Sequence, residues 1–80
     1  MNLLHMKYAV EVADTHSLNK AAKRLYVGQP NLSRAIKELE SSLGITIFER
    51  SSEGVLLTPD GEVFIRYAKS ILKQIDDVEF

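Results

Sequence analysis

The sequence predicts a mainly α domain: three helices, a two-stranded ribbon, then a fourth and longer helix. Three observations predict it. Apolar residues recur at the helical period over most of the chain. That period gives way between Ile45 and Leu57, where short β-type runs flank the turn-forming Ser51-Ser52-Glu53-Gly54. Thr58-Pro59-Asp60 then supplies a cap, a proline and an acid in the order that starts a helix.

The elements follow in order. Residues 2–14 form the first helix, with Leu3, Met6, Val10 and Ala13 facing a core and Lys7 and Glu11 on the wet side. The polar run Asp14-Thr15-His16-Ser17 ends it. In the second, short helix Leu18, Ala21, Ala22 and Leu25 keep the period, and Asn19 is the expected N-cap. Tyr26-Val27-Gly28 breaks the pattern. The third helix starts at Gln29-Pro30, where a proline loses no hydrogen bond. Leu32, Ile36, Leu39 and Leu43 trace its apolar stripe, Ala35 flanks it, and Gly44 stops it. Ile45, Ile47 and Phe48 read as one strand and Val55 to Leu57 as the other. The last helix runs from Pro59 to about Val78. Phe64, Ala68, Ile71, Ile75 and Val78 alternate by four and three, a heptad seam suited to a second subunit. Val63, Tyr67 and Leu72 are expected to face the first helix.

Composition bounds the function. Eighty residues make one small domain, which buries only ~60% of its unfolded surface and gains from a partner subunit. With no cysteine, neither a disulfide scaffold nor a thiolate metal site is available, and a reducing cytoplasmic setting fits. No signal peptide or membrane span is expected, because charges interrupt every apolar run. His5 and His16 lack ligand spacing, so no metal or other cofactor is expected. Asp14, His16 and Ser17 are sequence neighbours and cannot form a catalytic triad, and Gly54 and Gly61 make no phosphate loop; the chain is not expected to be an enzyme.

The charge distribution is more informative than the net charge of −1. From Lys20 to Arg50 six basic residues (Lys20, Lys23, Arg24, Arg34, Lys37, Arg50) meet three acids (Glu38, Glu40, Glu49). Asp76, Asp77 and Glu79 gather at the end. One side of such a domain faces an anion.

Two helices separated by a one-turn break, the second polar at its start and striped toward its end, have the helix-turn-helix layout. In that layout the second helix presents its first residues to base edges in the major groove. Gln29 and Asn31 can pair with adenine, and Arg34 with guanine. Ser33 can bond a base or a phosphate, and Lys37, one turn on, suits a phosphate. Plainer readings exist: Arg34 and Lys37 also fit a solvated helix face, Gln29 and Asn31 a loop end, and Arg50 a surface pair with Glu49 or Glu53.

The same residues carry a resemblance. Ser17-Leu18-Asn19-Lys20-Ala21-Ala22, Leu25 through Arg34, Leu39-Glu40, Leu43-Gly44 and Leu56-Leu57-Thr58-Pro59-Asp60-Gly61 resemble, in order and spacing, the N-terminal domain of bacterial LysR-type transcriptional regulators. The resemblance implies a winged helix-turn-helix over residues 1–58 and a linker and dimerisation helix over 59–80. It implies sequence-specific binding of double-stranded DNA as a homodimer on a pseudo-palindromic operator. A small-molecule effector would act only through a further domain outside these residues. It puts Gln29, Pro30, Asn31, Ser33 and Arg34 in the major groove, Ser17 and Asn19 beside the DNA backbone, and Arg50 on a phosphate. The chain departs from the family twice. Gly28 stands where serine is usual, removing a cap and a backbone contact. Glu53 stands at the wing tip, where a base is common and where phosphate would repel an acid. Glu49, Glu53 and the near-neutral charge also fit a second reading, a protein-interaction winged helix that never meets DNA.

Overall fold

The computed structural model describes residues 1–79. They form α1 (Leu3–Thr15), α2 (Leu18–Leu25), α3 (Gln29–Leu43), β1 (Phe48–Ser51), β2 (Gly54–Leu57) and α4 (Pro59–Val78). The expected mainly α winged helix-turn-helix is therefore the fold.

α1 is the hub. It packs against α2, α3, α4 and β2, through Met6, Ala9, Val12 and Ala13, all buried. Its buried face is rotated from the expected one: Leu3 is exposed and Val10 only half-buried. Asn2 caps it, the side chain accepting from the backbone N–H groups of Leu4 and His5 at 2.8 and 3.3 Å. Ala21 and Ala22 are buried, and their small side chains let α2 sit close to α1 and α3. Leu32, Ala35, Ile36 and Leu39 of α3 are buried as the stripe predicted. Leu32, Leu39, Ile47, Met6 and Val12 are the largest fully covered side chains and define the centre of the core.

The wing is a two-residue hairpin with Phe48 opposite Leu57 and Ser51 opposite Gly54. Ile45 and Ile47 lie before the strand. Ile47 is instead fully buried, and the segment around it is held from two helices. The Glu40 carboxylate accepts from the N–H groups of Ile47 and Phe48 at 2.6 and 3.3 Å. The Thr58 hydroxyl donates to the Thr46 carbonyl, and the Thr58 N–H donates to the Ile47 carbonyl at 2.9 Å. At its other end the hairpin docks on the α1–α2 corner, where the Val55 N–H donates to the His16 carbonyl at 3.0 Å. Gly54, at φ 122°, makes this approach possible, since a Cβ there would lie 2.5 Å from that same oxygen.

Thr58 caps α4 as expected, accepting from Gly61 N–H at 2.8 Å. The face α4 turns inward differs from the expected one. Gly61, Ile65 and Ala68 are buried, and Leu72 and Ile75 half-buried. These residues also alternate by four and three; the row shares Ala68 and Ile75 with the expected seam but takes Ile65 and Leu72 in place of Phe64 and Ile71. Ala68, placed above on a partner-facing seam, is fully covered within the chain, so it has no surface left for a partner. Phe64 also packs on the core. Val63 and Tyr67, expected against α1, are exposed, 43% and 67% accessible. The reason is steric. Gly61 must face the Ile47 carbonyl, where a Cβ would come within 2.1 Å, and that contact fixes the helix's rotation.

Candidate nucleic-acid interface

The candidate surface is built from the N-terminal halves of α2 and α3 and the strands of the wing. Ser17 is the N-cap of α2, its hydroxyl accepting from the Lys20 N–H at 3.1 Å. The cap is therefore Ser17 and not Asn19, which is exposed one residue inside the helix. Accepting that bond leaves the Ser17 O–H free to donate outward. Thr15 stiffens the corner: its hydroxyl donates to the Glu11 carbonyl at 2.9 Å and accepts from the Ser17 N–H at 3.3 Å.

α3 starts at Gly28, which provides no side-chain cap. The first N–H groups of the helix are thus left for an outside acceptor, and a helix N-terminus favours an anion. Along its first turns the polar side chains brace one another. Gln29 Nε2 donates to Ser33 Oγ at 3.2 Å, and Arg34 donates to Asn31 Oδ1 at 3.2 Å. Pro30, Asn31 and Arg34 are exposed, and Gln29 and Ser33 are half-buried.

Two adjoining clefts show what these residues share. One is lined by Ser17, Asn19, Gln29, Arg50 and Ser51. The next is lined by Ser33, Lys37, Glu40 and Arg50. Arg50 borders both, so β1 brings its guanidinium beside the first turns of α3. The structure thus gathers Ser17, Asn19, Gln29, Ser33, Lys37 and Arg50 on one surface, with Pro30, Asn31 and Arg34 exposed on the same first turns of α3. Phe64, Ala68, Ile71, Ile75 and Val78 lie elsewhere, on α4.

Electrostatics sharpen the surface. Arg24 is tied to Glu11 of α1 at 3.2 Å, and Lys69 and Lys73 pair with Asp14 and Asp77 at 3.0 Å each. Among the described residues, Lys20, Lys23, Arg34, Lys37 and Arg50 make no ion pair, so the suggested pairing of Arg50 with Glu49 or Glu53 does not form. Glu40, the acid in the cleft, spends its carboxylate on the Ile47 and Phe48 N–H groups. Glu53 is exposed in the turn between the strands and makes no ion pair among the described residues. Tyr26 lies in the break after α2, where the sequence favours a core or rim residue over a base-stacking one. It is 96% exposed and holds φ 56°; only the odd choice of tyrosine at a helix-ending position could have signalled it.

A short helix, a tight break, a helix whose polar first turns carry unpaired cations, and a wing that adds another define a winged helix-turn-helix DNA-binding domain. Residues 3–62 match the family described as bacterial regulatory helix-turn-helix protein, lysR family. The chain belongs to that family, as its DNA-binding domain. It is 46% identical over 78 residues to YcgK of Bacillus subtilis (strain 168), named as an uncharacterized HTH-type transcriptional regulator, covering 98% of this chain and 24% of YcgK. It is 44% identical over 78 residues to the HTH-type transcriptional regulator BenM of Acinetobacter baylyi, covering 98% of this chain and 26% of BenM. The chain thus spans about a quarter of the length of these relatives. Among solved structures it is similar to the BenM DNA-binding domain in complex with catB site 1 DNA, with TM-score 0.94, 44% identity, and 98% and 88% of the two chains covered. The DNA complex of the CbnR DNA-binding domain gives TM-score 0.94 at 37% identity, over 99% and 91% of the chains. Among the described residues no helix is long and apolar enough to cross a membrane.

Proposed function

We propose that this domain binds a pseudo-palindromic duplex as a homodimer in the bacterial cytoplasm, one half-site per subunit, and catalyses no reaction. The observation that carries the reading is the row of polar side chains on the first turns of α3 with cations that make no ion pair among the described residues, flanked by Arg50. Gln29, Pro30, Asn31, Ser33 and Arg34 contact base edges, and Arg34 suits a guanine. Ser17, Asn19, Lys37 and Arg50 contact phosphates. The relatives solved with DNA support this reading. Functionally, residues 1–58 read DNA and 59–80 link subunits, although the first turns of α4 belong to the common core.

Dimerisation follows from what α4 leaves uncovered. Val63, Tyr67, Ile71 and Val78 are exposed large apolar residues, and Ile71, Ile75 and Val78 line one shallow apolar depression. A row of that kind on a small monomer marks an interaction surface. A small-molecule effector acts through a further domain, as the length of the relatives suggests.

Titrating a labelled duplex pool at two salt concentrations tests the reading. Neutralising ~3–5 phosphates per subunit makes affinity fall steeply with salt. Absent or salt-independent binding would refute it.

A further inference from the structure

Tyr26 sits at the C-cap of α2 in the left-handed region, φ 56° and ψ 41°. Its N–H closes the helix on the Ala22 and Lys23 carbonyls, and Val27 N–H bonds Ala22 at 3.1 Å. Glycine is the residue this geometry favours, because an L side chain is crowded there. Yet an aromatic residue stands in the place with 96% of its surface exposed. It buries nothing that would offset the strain. A side chain that opposes its own backbone and adds no packing is a sign of a functional role.

Its surroundings say what kind. Tyr26 shares a shallow cleft with Asn19, Ala22, Lys23, Val27 and Gln29, a lining without an acid. Asn19, Lys23 and Tyr26 are spaced by four and three and share one side of α2. Lys23 makes no ion pair among the described residues. Asn19 and Gln29 border both this cleft and the one containing Arg50. The surface therefore continues from the wing, past the start of α3, to Lys23 and Tyr26.

We propose that Lys23 and Tyr26 form a second phosphate contact, beyond the start of α3 on the side away from the wing, so that each domain grips the DNA backbone on two flanks. The ammonium supplies charge, and the phenol O–H donates to a phosphate oxygen. This rests on the duplex-binding reading above. The contact is to phosphate only, so it adds affinity without base preference.

The test uses the 80-residue chain and a duplex selected by it from random oligonucleotides, with an unrelated duplex as control. Lys23→Ala should lower the slope of log affinity against log salt by ~0.9 per subunit. Tyr26→Phe should weaken binding about 10-fold, the effect of one hydrogen bond to a charged group. Both losses should be equal on the two duplexes. Tyr26→Gly should bind as weakly as Tyr26→Phe while melting no lower than the parent, which separates a DNA contact from a folding role. If the parent binds no duplex, the duplex reading itself fails. If the parent binds with a steep salt slope and Lys23→Ala and Tyr26→Phe match it in affinity and slope, that reading stands and this inference is overturned. A Tyr26 surface for a protein partner would give the second result.

Discussion

At Gly61 a single methyl group would land 2.1 Å from the Ile47 carbonyl oxygen and 2.9 Å from its carbon. Neither atom belongs to a flexible side chain, so Gly61→Ala must move α4 or the segment entering the wing. Overpacking of this kind costs about 1–3 kcal/mol, and the loss should appear as a lower urea midpoint with unchanged m-value. Gly28 is the opposite case. Its φ of −70° suits any residue, and the nearest atoms to an added Cβ are 3.9 Å away. Gly28→Ser should supply the missing cap of α3 and stabilise the domain by a few tenths of a kcal/mol, read as a small rise in Tm. A drop in Tm would show that the N-terminus of α3 needs the glycine. The two faces of α3 were legible before the fold because its sequence sorts cleanly, apolar at Leu32, Ile36 and Leu39 and polar at Gln29, Asn31, Ser33 and Arg34. The cap of α2 was not. Ser17 and Asn19 are both good caps, and the choice shows only in the extended backbone of Ser17 and its hydroxyl bond to the Lys20 N–H.

Among the elements, the wing depends least on its own strands. Each has four residues, and an isolated hairpin is marginal in water. Its position comes from Glu40, Thr58 and His16, the last in contact with Gly54, all outside the two strands. Removing the Glu40 carboxylate leaves the Ile47 N–H buried without its acceptor, a loss of about 1–3 kcal/mol. Glu40→Ala should therefore speed amide exchange at Ile47 and Phe48 more than in α1. Uniform acceleration across the domain would contradict the local role. Such contacts explain why the ribbon was expected to begin near Ile45: the alternation there is real, but Ile47 is drawn into the core by two helices rather than into a ladder. The phase of α4 was equally hidden. Val63, Phe64 and Ile65, then Tyr67 and Ala68, then Ile71 and Leu72 give several apolar rows at once. Periodicity cannot choose among them; the Gly61–Ile47 approach does.

For the whole molecule, the proposed assembly follows from how α4 divides its surface. One side completes the core through Ile65 and Ala68, and the other leaves Val63, Tyr67, Ile71 and Val78 exposed. Replacing Ile71 and Ile75 by aspartate should give monomers in sedimentation velocity with α-helical content retained. A dimer that survives both substitutions would remove α4 from the interface. Loss of the dimer should also weaken operator binding more than non-specific binding, because half-site spacing is enforced by the two-fold arrangement.

The central claim is that the first turns of α3 read base sequence. Parallel selections from random duplexes, with the parent and with Arg34→Ala, test it most directly. The account predicts that the parent enriches a palindromic motif and that Arg34→Ala keeps the motif but loses preference at one symmetric base pair. At that pair the discrimination lost should be about 1–3 kcal/mol. An Arg34→Ala motif identical to the parent's, bound as tightly, would contradict it.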